Sequence, residues 1–226
     1  MVVFHQTLLN RSSEILLTMA SPVSAQALVD LAKNRRTYYK LTSDLPISKE
    51  RVVEIVNEFV LHCPTPYNSQ ATRVVVLFGD QHKKLWEIVA EIMEPILAPK
   101  IGAEATAARF TGFKDSAATV LFFEDMDAIK GLQETFAFIA DKWPLWATQA
   151  DAMLQYSLWT ALEAEGLGCS LQHYNPEIDE KVAAAFDIPA GWKLNAQLVM
   201  GGGRDPSELP EKTFEPLEKR VKVLGA

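Results

Sequence analysis

Residues 147–168 read ATQADAMLQYSLWTALEAEGLG. This is the most apolar helical stretch of the chain, broken only by Gln149, Asp151 and Gln155 before the acids at its end. A bilayer span needs about 18 to 20 apolar residues with few or no charges, and no run here approaches that. The segment is therefore read as a buried helix at the centre of the fold. Gly166 and Gly168 stop it, as glycines do just past a helix C-terminus.

Elements can be placed outward from this helix. Downstream, Cys169 to His173 is a short strand candidate, Glu177 to Phe186 is helical, and Leu194 to Met200 is a strand. Gly201-Gly202-Gly203 then opens a polar tail with Pro206, Pro210 and Pro216, and Val221 to Leu224 is expected to add one more short strand. Upstream, Ala27, Leu28, Leu31 and Ala32 carry helical spacing within Ser24 to Asn34. A second helix starts at Ser48, a good N-cap, and stops before Pro64 and Pro66. Arg73 to Phe78 reads as a strand, Asp80 to Leu97 as a helix, Ala118 to Phe123 as a buried strand, and Ala128 to Ala140 as a helix. About four short strands among six or seven helices is too irregular for a TIM barrel. The pattern predicts an α+β fold with a small sheet packed among helices.

The chain has 226 residues, enough for one large domain or two small ones. A hydrophobic fraction of 48% and a charged fraction of 23% are ordinary for a globular protein. The net charge of −7 argues against a general nucleic-acid partner, which needs a basic face. No membrane association is expected. Cys63 and Cys169 cannot build a disulfide framework, which favours a reducing compartment. Residues 1–18 are set apart as a leader outside the fold, with residues 19–226 as a single domain. Arg11 is the only basic residue of that leader, against Glu14, so it fits an Arg-rich transit peptide poorly. Familiar catalytic signatures are missing: there is no P-loop, no G-x-G-x-x-G after a strand, no H-E-x-x-H, no C-x-x-C and no G-x-S-x-G. No metal site is supported. Enzymatic chemistry would need a cofactor that brings its own reactivity.

Four separated pieces stand out. Arg35-Arg36-Thr37 offers two planar guanidiniums and a hydroxyl suited to a phosphate, although bases near a helix C-terminus also complement the macrodipole. Pro64 to Gln70 sets the amides of Asn68 and Gln70 in a rigid turn, where they can read a heterocycle or serve as ordinary turn residues. Glu163-Ala164-Glu165-Gly166-Leu167-Gly168 puts two acids at a helix C-terminus, where the dipole disfavours them, beside glycines that admit close backbone approach or merely cap the helix. Lys212, with Lys219, Arg220 and Lys222 beyond it, is either functional or part of a solvated face.

In this order and at these distances the pieces resemble the nitroreductase family of FMN-dependent oxidoreductases, over roughly residues 24 to 223. The matching runs are Lys33 to Tyr39 (KNRRTYY), Tyr67 to Gly79 (YNSQATRVVVLFG), Leu154-Gln155-Tyr156 through Gly168, and Ser170 to Pro176 (SLQHYNP). The likeness is closest to the small fungal and bacterial branch that includes the fatty acid repression mutant protein. It implies a nitroreductase-like α+β fold with a small, mainly antiparallel sheet, and a homodimer in which the C-terminal tail is exchanged. FMN would lie at the subunit interface. Arg35, Arg36, Thr37 and Lys212 would hold its phosphate and ribityl chain. Asn68 and Gln70 would approach the flavin or ribityl chain, and the backbone N–H groups of Glu165 and Gly166 would face the N5 and O4 edge.

The resemblance implies a ping-pong oxidoreductase that passes hydride from NADH or NADPH through the flavin to nitroaromatic or quinone-type acceptors, with a role in the oxidative-stress response. The alternative is a flavin-binding regulator with little turnover, linked to lipid or stress signalling. No side chain is named as catalytic, because the flavin carries the chemistry. A cytoplasmic location, extending to the nucleus, is expected, with mitochondrial targeting by residues 1–18 as the competing reading. Trp143, Trp146 and Phe138 either line the substrate side or belong to the core, and Cys169 reads as a small buried residue. The sequence departs from the family pattern at Tyr39 and at Lys212-Thr213-Phe214, where further basic residues are common. It departs again at Thr65, which stands in place of Ser, and in lacking Pro-Trp after Gln70. The first two departures shift phosphate binding onto Arg35, Arg36 and Arg220.

Overall fold

The computed structural model describes residues 23–225, so the leader at 1–18 lies outside the described residues. The chain divides after Arg36 into two units. In the first, helix α1 spans Ala25–Asn34 and begins at Ser24, whose hydroxyl accepts from Ala27 N–H at 3.3 Å. The N–H of Arg35 closes it on Leu31 O at 3.0 Å.

The second unit contains α2 (Lys49–His62), β1 (Thr72–Phe78), α3 (Gly79–Ile101), α4 (Ala103–Lys114), β2 (Ala118–Asp125), α5 (Met126–Thr135), α6 (Trp143–Ala164), β3 (Gly168–Gln172), α7 (Asp179–Phe186) and β4 (Trp192–Gly201). The sheet order is β1-β2-β4-β3, and every neighbouring pair is antiparallel. This is the small antiparallel sheet among helices that the sequence implied.

Strand β2 is almost wholly buried, and its alternation sorts the core into two layers. Leu121 and Phe123 join Leu85, Trp86, Val89, Phe110, Phe113 and Val182 from α3, α4 and α7. Val120 and Phe122 join Val52, Ile55, Val56, Leu154, Leu158 and Leu162 from α2 and α6. The helix read from residues 147–168 therefore packs its Leu154, Leu158 and Leu162 into this layer. A register shift between Phe122 and Phe123 lets Asn195 bulge from β4 and reach Asp151 on α6.

Some expectations change. Helix α4 escaped the sequence pattern because Thr106, Phe110 and Phe113 are its only buried residues. The helix expected at 128–140 starts at Met126, since the Asp125 side chain accepts from Asp127 and Ala128 N–H at 3.1 and 3.0 Å. It ends at Thr135 and gives way to a 3-10 turn at Ala137–Lys142. Helix α6 begins four residues early at Trp143, with Pro144 in its first turn, where a missing N–H costs nothing. Val221 to Leu224 is not a strand: these residues are exposed and carry no regular structure.

Candidate functional site

Beyond α2 the chain passes Pro64 and makes a 3-10 turn at Pro66–Asn68 before entering β1. Tyr67, Asn68 and Gln70 have φ of 53°, 54° and 48°. Left-handed backbone costs an L-residue about 1 kcal/mol or more, so the surroundings must over-determine it. Asn68 N–H donates to Thr65 O and Ser69 N–H to Pro66 O, both at 3.0 Å. Gln70 N–H donates to Thr65 Oγ1 at 3.1 Å, and Gln70 O accepts from Arg73 Nη1 at 2.6 Å. The Asn68 and Gln70 side chains remain exposed. The turn thus holds out both amides from a fixed frame. Thr65, which replaces the family's Ser, is an anchor of that frame.

An aromatic wall stands beside the turn. Tyr67 stacks on Trp146 with ring centroids 6.2 Å apart, and packs tilted on Phe136 and Trp143 at 5.2 and 5.5 Å. Pro64, Pro66, Tyr67, Trp146, Gln149 and Met153 line an open cavity of about 440 Å³. The three aromatics grouped on sequence now separate: Trp143 is 1% exposed and belongs to the core, Phe138 is 82% exposed, and Trp146 lines the cavity. A smaller cavity of about 140 Å³ lies behind the turn, between Cys63, Gln70, Arg73 and Leu154.

At its far end α6 finishes in a glycine cap. Glu165, Gly166 and Leu167 N–H donate to the carbonyls of Ala161, Glu163 and Leu162 at 3.2, 3.1 and 3.2 Å, with Gly166 at φ 94°. The backbone donors assigned to a flavin edge are engaged within this cap. The misplaced acids are compensated locally. Glu165 Oε1 accepts from Arg51 Nη2 at 2.8 Å, while Glu163 accepts from Trp159 Nε1 at 2.7 Å and its carbonyl accepts from Arg204 Nη1 at 2.8 Å. Arg51 and Arg204 thereby neutralise a helix end that is negatively polarised.

Arg35 and Arg36 close the first unit and Thr37 opens the second. Tyr38 N–H then donates to Cys169 O at 2.9 Å. Lys212 is partly buried in the irregular tail beyond the Pro206–Glu208 turn. Tyr39 and Phe214, the departures from the basic pattern, are both exposed. Burial pushes the Cys169 thiol well above its usual range, and it stays an inert core residue. Sequence reading missed Arg73, Tyr67, Phe136 and Arg204. Only the Arg at the head of β1, beside a Pro/Asn turn, left a readable signal.

The structure pairs Asn68 with Gln70, and Glu165 with Gly166, but it does not bring the two pairs together. Leu154, beside the turn, and Glu165 are about 16 Å apart along α6 at ~1.5 Å per residue. Exposed amides beside an aromatic cavity suit a planar heterocycle.

A small antiparallel sheet between two helical layers, with a polar turn and aromatic wall at its rim, is the frame of a flavin-type oxidoreductase. The chain belongs to the nitroreductase family, whose sequence model matches residues 32–202. It is 38% identical over 185 residues to the nitroreductase FRM2 of Saccharomyces cerevisiae, covering 80% of this chain and 89% of that one. Nitroreductase CinD of Lactococcus lactis, solved with nicotinic acid and with 4-nitrophenol, is 42% and 41% identical in the two complexes. Both superpose with a TM-score of 0.78 and cover 87% of this chain and 99% of CinD. A Desulfovibrio desulfuricans protein solved in complex with FMN shares the fold at 17% identity and a TM-score of 0.59. Among the described residues no helix is long and apolar enough to cross a membrane.

Proposed function

We propose that this oxidoreductase binds FMN and transfers hydride from NADH or NADPH to nitroaromatic or quinone-type acceptors by alternating occupancy of one site. The observation that carries the reading is the left-handed turn at residues 65–70, which presents Asn68 and Gln70 beside the aromatic cavity. FMN, when bound, would supply the redox chemistry as a hydride carrier. Arg35, Arg36 and Thr37 hold the phosphate through planar donor forks and a hydroxyl, with Lys212 adding charge. Asn68 and Gln70 orient the ring system. Tyr67 and Trp146 supply a flat apolar surface for an aromatic acceptor.

The working unit is a homodimer. The ~16 Å of α6 that separates Leu154, beside the turn, from Glu165 at the cap supports a site completed by a second copy, with the turn of one chain near the cap of the other. Exposed Phe214, Leu217, Val221, Val223 and Leu224 support exchange of the tail onto that copy. The free cysteines Cys63 and Cys169 support a reducing compartment, the cytoplasm or nucleus.

The test is the visible spectrum of purified protein through addition of NADH or NADPH and then a nitroaromatic. A yellow protein that bleaches and recovers is expected. A colourless protein that FMN cannot reconstitute overturns the reading. FMN binding with only sporadic turnover favours a regulatory role linked to lipid or stress signalling over an enzymatic one.

A further inference from the structure

Arg73 lies at the head of β1, away from the Arg35-Arg36 pair in the sequence, and its guanidinium makes three hydrogen bonds within the protein. Nη1 donates to Gln70 O at 2.6 Å and to Thr72 O at 3.1 Å, while Nη2 pairs with Asp125 Oδ2 at 2.7 Å. The plane rests over the Trp192 ring, 5.9 Å from its centroid. Asp125 is fixed in turn, since its Oδ1 caps α5 and its N–H donates to Ala71 O at 2.9 Å. A planar fork clamped on one side to a helix N-cap therefore grips, on the other, the carbonyl of a left-handed residue.

Gln70 is held from both directions. Its N–H is tied to Thr65 Oγ1 and its carbonyl to Arg73, so its φ of 48° does not relax to extended backbone. Release of the carbonyl would let the peptide flip and swing the exposed amide out of place. We propose that Arg73, anchored by Asp125, is a positioning residue that sets the orientation of the Gln70 and Asn68 amides toward the flavin. It touches neither flavin nor acceptor and acts only through the turn. This assignment rests on the flavin reading proposed above.

The test compares Arg73→Gln, Arg73→Lys and wild type as full-length chains, each checked for folding by thermal melting. FMN affinity is measured by titration of apoprotein, and the bound flavin is followed by visible circular dichroism. Hydrogen exchange is measured on peptides covering residues 64–72. Loss of one charge-assisted hydrogen bond predicts about a tenfold weaker FMN affinity for Arg73→Gln. Faster exchange at 64–72 and an altered flavin dichroism accompany it. Arg73→Lys, which keeps charge but not the fork, recovers part of the affinity. A folded Arg73→Gln protein with wild-type affinity, dichroism and exchange overturns the assignment. Wild-type protein that does not bind FMN at all overturns the flavin reading instead, and the exchange result then reports separately whether Arg73 holds the turn.

Discussion

Asp151 on α6 and Asn195 in the β4 bulge are joined by a 3.0 Å hydrogen bond in the middle of the protein, and the second carboxylate oxygen of Asp151 has no partner. Burial is the main reason that its pKa rises to about 6, with Asn195 and Gln155 opposing and the Glu124 charge adding to the shift. An acid whose folded pKa lies above its unfolded value of 3.8 binds a proton more readily when folded. Its ionisation therefore lowers stability as pH rises from about 4 through 6, by roughly 3 kcal/mol in total. Asp151→Asn, which stays neutral, is expected to be at least as stable as wild type at pH 7.5 and to lose that advantage at pH 4. Urea unfolding at both pH values checks this.

His82 titrates with the opposite sign. It is buried between α3, α4 and β2, with Nδ1 2.9 Å from Thr119 Oγ1 and Nε2 3.0 Å from Phe113 O. Burial lowers its pKa to about 4, and the neighbouring Lys83 charge adds to this. The unfolded chain, titrating near 6.5, takes up the proton first, so stability present above pH 6.5 is lost as pH falls toward 4. The full effect is about 3 kcal/mol. His82→Gln is expected to cost about 1–2 kcal/mol at pH 7.5 through poorer hydrogen bonding, and less at pH 4.5. In wild type the two groups offset each other between pH 4 and 6, and each single variant unmasks the slope of the other.

The sequence marked Asp151 only as a break in an apolar helix and gave His82 no role, and the reason is physical. Periodicity reports which face of an element is apolar, so it placed the strands at 73–78, 118–123 and 194–200 within two residues of their observed bounds. It also marked the helix around Leu154 and Leu158 as buried. It does not report a bulge, and without the bulge at Asn195 the aspartate in an apolar helix has no explanation. Helix α4 was missed because only three buried residues mark its inner face, and one of them, Thr106, is polar. For the candidate site, residue type and order pointed to Asn68, Gln70 and the glycine cap. What holds the turn, Thr65 and Arg73, depends on backbone carbonyls and φ angles that no side-chain pattern encodes.

The glycines give a graded test of close packing. Gly166 needs its left-handed φ of 94°, but a Cβ there meets Pro46 only at an ordinary 3.9 Å. Gly166→Ala is expected to cost about 1–2 kcal/mol from backbone strain alone. Gly201 has an ordinary φ, yet a Cβ would collide with the carbonyl oxygen of Thr42 and crowd Ala117 N at 3.2 Å. Both obstacles are backbone, so the segment at Thr42 and its bridge to Gly202 must move. Gly201→Ala should lose more than Gly166→Ala, about 3 kcal/mol or beyond, by overpacking. Melting temperatures in the reverse order would contradict the packing.

The aromatic residues near α6 should divide by role. Trp143 is sealed between Ala71, Ile129 and Ala147, so Trp143→Ala opens a cavity and costs about 3–5 kcal/mol. Phe138 is on the surface, and Phe138→Ala should alter stability by no more than about 0.5 kcal/mol and leave acceptor kinetics unchanged. Trp146 lies between these cases: it is partly buried, stacks with Tyr67 and faces the cavity. Trp146→Ala should leave FMN affinity near wild type, because its ring stands beside the amides of the turn rather than holding them. Losing a flat surface beneath an aromatic acceptor removes binding worth about 1 kcal/mol, so KM for a nitroaromatic should rise about five- to tenfold while kcat changes little. An unchanged KM would move the acceptor site away from this wall, and a parallel loss of FMN would make Trp146 part of the cofactor's own support.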